Sequence, residues 1–190
     1  VHLSLLHTVG SNNPLGINGN VDKIPFYPYL IFKDLFSWVA FFVMYIAFVC
    51  FAPNYLGHSD NYIEANAMVT PAHIVPEWYF LPFYAILRSI PHKLGGVIAM
   101  FAALLILLAL PYTGTSEVRS SSFRPLHRII FWILVLDYFV LGWIGGCAPE
   151  SPYLEVGQIA TFFYFFYFIG LLPLLGVFES YLLSYSLEEK

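Results

Sequence analysis

The chain of 190 residues is 59% hydrophobic, with 11% charged residues and a formal net charge of -4; its mean hydropathy is +0.72. So few charges cannot cover a water-facing surface, which excludes a soluble globular domain and points to a membrane protein. In such a chain the placement of charges matters more than their sum, and no nucleic-acid partner is expected.

In chain order, residues 1–10 read as the last turns of an earlier helix, closed by Gly10. The opening Val1-His2-Leu3 has no Met and no basic flank before a short apolar core, so no leader peptide is expected. The chain reads as entered partway along a helix. A loop over 11–34 precedes the first apolar run, 35–52, which is led by Lys33-Asp34 and stopped by Pro53. A bilayer core about 30 Å thick needs roughly 20 such residues of helix. Residues 53–93 form a second loop. Within it, Pro76 to Arg88 contains an apolar stretch too short to cross and too greasy for water, the signature of a re-entrant helix. Pro76 is expected at its first helical position. Further spans follow over 94–112, 129–147 and 156–182, separated by a basic loop at 113–128. The last is rich in Phe and Tyr and should bend at Pro173, which has no amide to donate; a tail over 183–190 ends the chain. The expected fold is all-α: a polytopic transmembrane helical bundle of four transmembrane helices, the end of a preceding one and a short re-entrant helix. Cys50 and Cys147 end apolar runs and read as reduced, packed residues.

If the four spans alternate, Lys23, Lys33, Arg119, Arg124, Arg128 and Lys190 share one side, and Arg88 and Lys93 the other. The richer side is then the inner one. Arg119, Arg124 and Arg128 read as topology markers.

His2 and His7 lie five residues apart, about 140° around a helix, so they cannot share one metal. Each reads either as a hydrogen-bonded core residue or, for one of them, as an axial haem ligand. Lys33 and Asp34 read as helix-end and membrane-edge residues. With His7 and Ser11 they also form a set of proton and hydrogen-bond donors of the kind a quinone needs at its carbonyl oxygens. Glu77 stands beside Trp78, Tyr79 and Phe80, where a carboxylate is expected to be poorly solvated and fit to take up and release protons; a first-turn glutamate favouring the helix dipole is the plainer reading. Tyr79, Phe83 and Tyr84 could wall a pocket for a flat ring. Asp137, near the middle of the third span, reads as a neutral or paired carboxyl bonded to a neighbouring helix, with a functional role as the other reading.

These motifs form a set. Pro76-Glu77-Trp78-Tyr79, Gly10-Ser11-Asn12-Asn13-Pro14 after a His-x4-His, Ile24-Pro25-Phe26-Tyr27-Pro28-Tyr29, Lys33-Asp34, Phe123-Arg124-Pro125 and Trp143-Ile144-Gly145 occur in that family's order in the C-terminal half of the cytochrome b of the mitochondrial ubiquinol–cytochrome c reductase, complex III. The chain resembles this family along its whole length. The resemblance implies that His2 is an axial ligand, through its imidazole, to the iron of the high-potential haem b. It places His7, Ser11, Lys33 and Asp34 around an inner quinone-reduction site, His7 and Asp34 carrying protons. It places Glu77, Tyr79, Phe80 and Tyr84 at an outer quinol-oxidation site, with Glu77 taking the quinol proton, and Lys93 on the surface where a Rieske iron–sulfur protein docks. The implied function is oxidation of ubiquinol and reduction of ubiquinone with electron transfer and proton translocation across the mitochondrial inner membrane. The implied partners are the N-terminal half of cytochrome b, the Rieske protein, a c-type cytochrome subunit, the lipid bilayer and a second copy of the complex. The family has eight spans and four haem-ligating histidines. This chain matches four spans and one ligand, so the low-potential haem would be held by residues absent here and the fragment alone would not be active. Two rival readings are subunit IV of a plastid-type cytochrome complex, which also carries PEWY, and an ion-conducting bundle using Glu77 and Asp137.

Overall fold

The structure, a computed structural model, describes residues 1–71 and 73–188; the expected inner-side Lys190 lies outside them. It divides into two compact units, Val1–Thr70 and Pro71–Lys190.

In the first unit, α1 (His2–Val9) is closed by Gly10, whose amide donates to the Leu6 carbonyl at φ 74°. A side chain at Gly10 would be strained in that conformation, which is why glycine ends the helix. A wide turn over Phe26–Leu30, interrupted by extended backbone at Tyr27, leads into α2 (Ile31–Ile46), and a second wide turn over Ala47–Phe51 carries the helix to Ala52. The apolar run alone predicts a start at Leu35. The helix starts earlier because Asp34 sits in its first turn, where a carboxylate complements the unpaired amides.

In the second unit the short helix is the hub. A tight turn at Trp78–Phe80 leads into α3 (Leu81–Ser89), with a proline in its first turn. That proline is Pro82. The expectation that Pro76 begins the helix is therefore corrected: Glu77, just after it, is still extended at φ -58°, ψ 152°, and helical geometry begins one turn later. The next span is α4 (Lys93–Leu105), a tight turn Ile106–Ala109 and α5 (Leu110–Thr113). Then come α6 (Pro125–Gly146), α7 (Tyr153–Phe166), a wide turn Tyr167–Leu171 and α8 (Leu172–Glu188). Among the described residues four helical stretches are long and apolar enough to cross a membrane: Phe26–Phe51, Lys93–Thr113, Pro125–Gly146 and Tyr153–Tyr185. The chain is an all-helical, multi-pass membrane protein. α6 starts before the expected Ile129 because Pro125 opens it at a position that needs no donor. α8 continues through Glu188, past the expected start of a tail. At Pro173 the helix widens over the preceding turn rather than breaking, which spaces out the carbonyl that proline cannot serve. The Pro173 carbonyl accepts from Thr115 Oγ1 at 2.7 Å.

α3 packs against α4, α6 and α7. Its Ala85 and Ile86 are buried with Ala103, Leu141 and Ile144. Two glycines allow this. A Cβ on Gly96 would run into the Leu87 carbonyl, and one on Gly145 into the Leu81 carbonyl. Small residues of this kind let helix backbones meet where lipid gives no hydrophobic push. α6 and α8 are joined differently: Arg124 Nε donates to Glu179 Oε2 at 2.6 Å, and the His127 amide donates to Glu179 Oε1 at 3.1 Å. Both charged residues are buried.

Candidate functional site

The Pro76-Glu77-Trp78-Tyr79 segment stands at the head of the buried α3. The Glu77 carbonyl accepts from the Phe80 amide at 2.9 Å, which forms the turn. Its side chain is exposed and makes no hydrogen bond among the described residues. This corrects the expectation of a poorly solvated carboxylate. The neighbouring rings pair with one another instead of covering it: Trp78 meets Tyr79 edge-on at 5.6 Å, and Tyr79 lies 4.8 Å from Phe80. Of the four expected outer-site residues, Tyr79 alone lines a groove of about 350 Å³, between Trp78, Leu81 and Pro82 on one wall and Tyr138, Phe139, Gly142 and Trp143 of α6 on the other. Phe80 is exposed and Tyr84 half-buried. Phe83, a candidate pocket wall, instead packs edge-on against Tyr138 at 6.2 Å.

Three side chains hold this segment through four polar contacts. The Tyr84 hydroxyl donates to the Ile74 carbonyl at 3.2 Å. His73 Nε2 lies 3.3 Å from the Gly146 carbonyl and donates to it when that nitrogen carries the proton. Arg88 donates to the Cys147 and Ile144 carbonyls at 2.8 and 2.6 Å. The charge count puts Arg88 with Lys93 on the less basic side; its guanidinium also caps α6. At the other end of α3, Gln158 Nε2 donates to the Ser89 carbonyl at 3.1 Å. Lys93 begins α4 and is exposed.

The inner-site candidates belong to the first unit. His2 and His7 lie on α1, Ser11 follows it, and Lys33 and Asp34 fall in the first turn of α2; all are exposed. Among the described residues no hydrogen bond or ion pair joins any two of them. No group of three or more His, Cys, Asp or Glu able to hold a metal occurs there either. Among the described residues the exposed His2 imidazole has no hydrogen-bond partner, and an imidazole is a side chain that can hold a haem iron.

Among the described residues Asp137 makes no hydrogen bond, and its buried Oδ2 has no partner. The expected bond to a neighbouring helix is therefore not made. The paired acid is Glu179, which sequence reasoning passed over although it interrupts an apolar run just as Asp137 does.

The family described as "Cytochrome b(C-terminal)/b6/petD" matches residues 64–165 of the chain. The chain belongs to this family. Its relatives include cytochrome b of Chondrus crispus, 59% identical over 98% of this chain and 49% of that protein. Cytochrome b of Marchantia polymorpha is 62% identical over 98% of this chain and 46% of that protein. A solved structure titled "Hyperthermophilic respiratory Complex III" superposes with a TM-score of 0.85 at 34% identity, covering 94% of this chain and 46% of that one. The chain spans about half the length of the curated relatives it matches. Similarity to cytochrome b over nearly the whole chain, the fourth long apolar helix included, disfavours the subunit IV reading; nothing supports the ion-conducting one.

Proposed function

We propose that this chain is the quinone-handling C-terminal part of a complex III cytochrome b, active only together with the rest of that protein. One observation carries the reading: a carboxylate with no hydrogen bond among the described residues, Glu77, heads a short helix packed in the core of a chain that is similar to cytochrome b over 98% of its own length. A carboxylate with no protein partner is available to accept a proton from a quinol hydroxyl. Tyr79, Phe80 and Tyr84 offer ring faces to the quinol head, and the remaining walls come from outside this chain. On the inner side, the imidazole of His7 and the carboxyl of Asp34 deliver protons to a quinone, while Ser11 and Lys33 donate hydrogen bonds to its carbonyl oxygens. His2 would supply one protein ligand to the iron of the high-potential haem b. When bound, that group supplies one-electron redox chemistry, whereas the protein supplies placement and proton transfer. The oxidised and reduced partners are ubiquinol and ubiquinone. The setting is the mitochondrial inner membrane, in a dimeric complex with a Rieske protein near Lys93 and a c-type cytochrome.

Photoaffinity labelling of the assembled complex with a photoreactive quinone tests this placement. Labels are expected in two peptides, one within residues 76–84 and one within 7–34. Labels confined to other segments of this chain would remove both sites.

A further inference from the structure

Arg88 ends α3 against the last turn of α6. Its two Nη groups donate to the Ile144 and Cys147 carbonyls, at 2.6 and 2.8 Å. These lie at a helix C-terminus, where the helix dipole favours a cation and the last carbonyls can take a further donor; the Ile144 carbonyl also accepts from the Cys147 amide at 3.0 Å. The Cζ of the same guanidinium lies 4.8 Å from the centre of the Tyr84 ring, one turn earlier on α3. Tyr84 in turn donates through its hydroxyl to the Ile74 carbonyl, two residues ahead of Pro76. One side chain therefore links the end of α6, an expected site residue, and the backbone that leads into Glu77. Arg88 Nε is buried without a partner, so the link runs through the Nη groups and the guanidinium face.

We propose that Arg88 is a positioning residue for quinol oxidation, fixing the Tyr84 ring and the Pro76-Glu77 backbone relative to α6. The inference rests on the function proposed above. It differs from a membrane-edge role in a way that can be measured. An edge charge is served equally by lysine, whereas a lysine has neither the planar fork for two carbonyls nor a flat face to lie on a ring.

The test uses the assembled complex carrying Arg88→Lys, Tyr84→Phe, or both, with quinol-oxidation kcat normalised to bound haem. A small misplacement of reacting groups has large kinetic effects, so Arg88→Lys should lower kcat about tenfold while haem content and spectra stay unchanged. The double variant should be no slower than the slower single one, because both changes cut the same linkage. Wild-type kcat in Arg88→Lys, or fully additive losses in the double variant, would overturn the positioning role. Glu77→Gln in the same background separates the two claims. If it slows turnover while Arg88→Lys does not, only the Arg88 role falls; if it leaves turnover intact, the underlying reading of the segment falls and this inference with it.

Discussion

Glu179 lies inside an apolar helix, yet its carboxylate is fully used. One oxygen takes the Arg124 guanidinium at 2.6 Å and the other the His127 amide near the start of α6. Taking two charges out of water costs several kcal/mol each, and only a close pair with further hydrogen bonds offsets that. Breaking it from one side is therefore worse than removing it whole. Glu179→Gln should destabilise the folded chain by about 3–5 kcal/mol, because Arg124 is left buried without a countercharge. Replacing Glu179 and Arg124 together by Leu and Met should recover most of that loss, read as the melting temperature of the purified complex. Equal losses in the single and double variants would show that the pair is not the source. Asp137 is the opposite case, an acid in a span with no protein partner for its buried oxygen. Both residues break an apolar run in the same way, so the sequence marks each as unusual. It does not say which is paired, since the partner arrives from a helix more than fifty residues away.

At the scale of elements, the spans were legible because roughly 20 apolar residues are what a bilayer demands of a helix. Their ends were not. Pro125 and Asp34 each sit in a first turn that an apolar window reads as loop, whereas the short helix opens at Leu81-Pro82, later than Pro76 suggests. The short helix was legible from its length, and its burial follows from the glycines opposite it. Gly145 is the sharper case, since any side chain there meets the Leu81 backbone, which cannot swing away. Gly145→Ala should therefore force α3 and α6 apart and cost about 1–3 kcal/mol, as overpacking usually does. Gly142→Ala is the control: its Cβ would meet the Pro82 ring, Cγ at 3.5 Å and Cδ at 3.9 Å, both ordinary contacts. The comparison is the melting temperature of the complex bearing each variant, and equal shifts would contradict close backbone packing as the role of Gly145.

For the whole molecule, the share of buried surface reports what the chain has and lacks. The helical stretch Phe26–Phe51 has no buried residue in its most apolar window, whereas that of Tyr153–Tyr185 is 33% buried. Residues expected around a quinone are almost all exposed, Glu77, His7 and Asp34 included. Their types and order were readable from the motifs, but their solvation was not, because burial depends on which other segments pack over a residue and the chain spans only about half the length of its relatives. The Arg88 link was hidden for a related reason: it joins carbonyls, which carry no sequence signature. The central claim is that Glu77 takes the quinol proton in the completed protein. It is tested most directly by single-turnover reduction of the haem by quinol in the assembled complex carrying Glu77→Gln. Loss of a positioned general base typically costs 10²–10⁴-fold, so a rate at least tenfold slower than wild type, with an unchanged haem spectrum, is the predicted result. A rate equal to wild type across the working pH range would contradict the account.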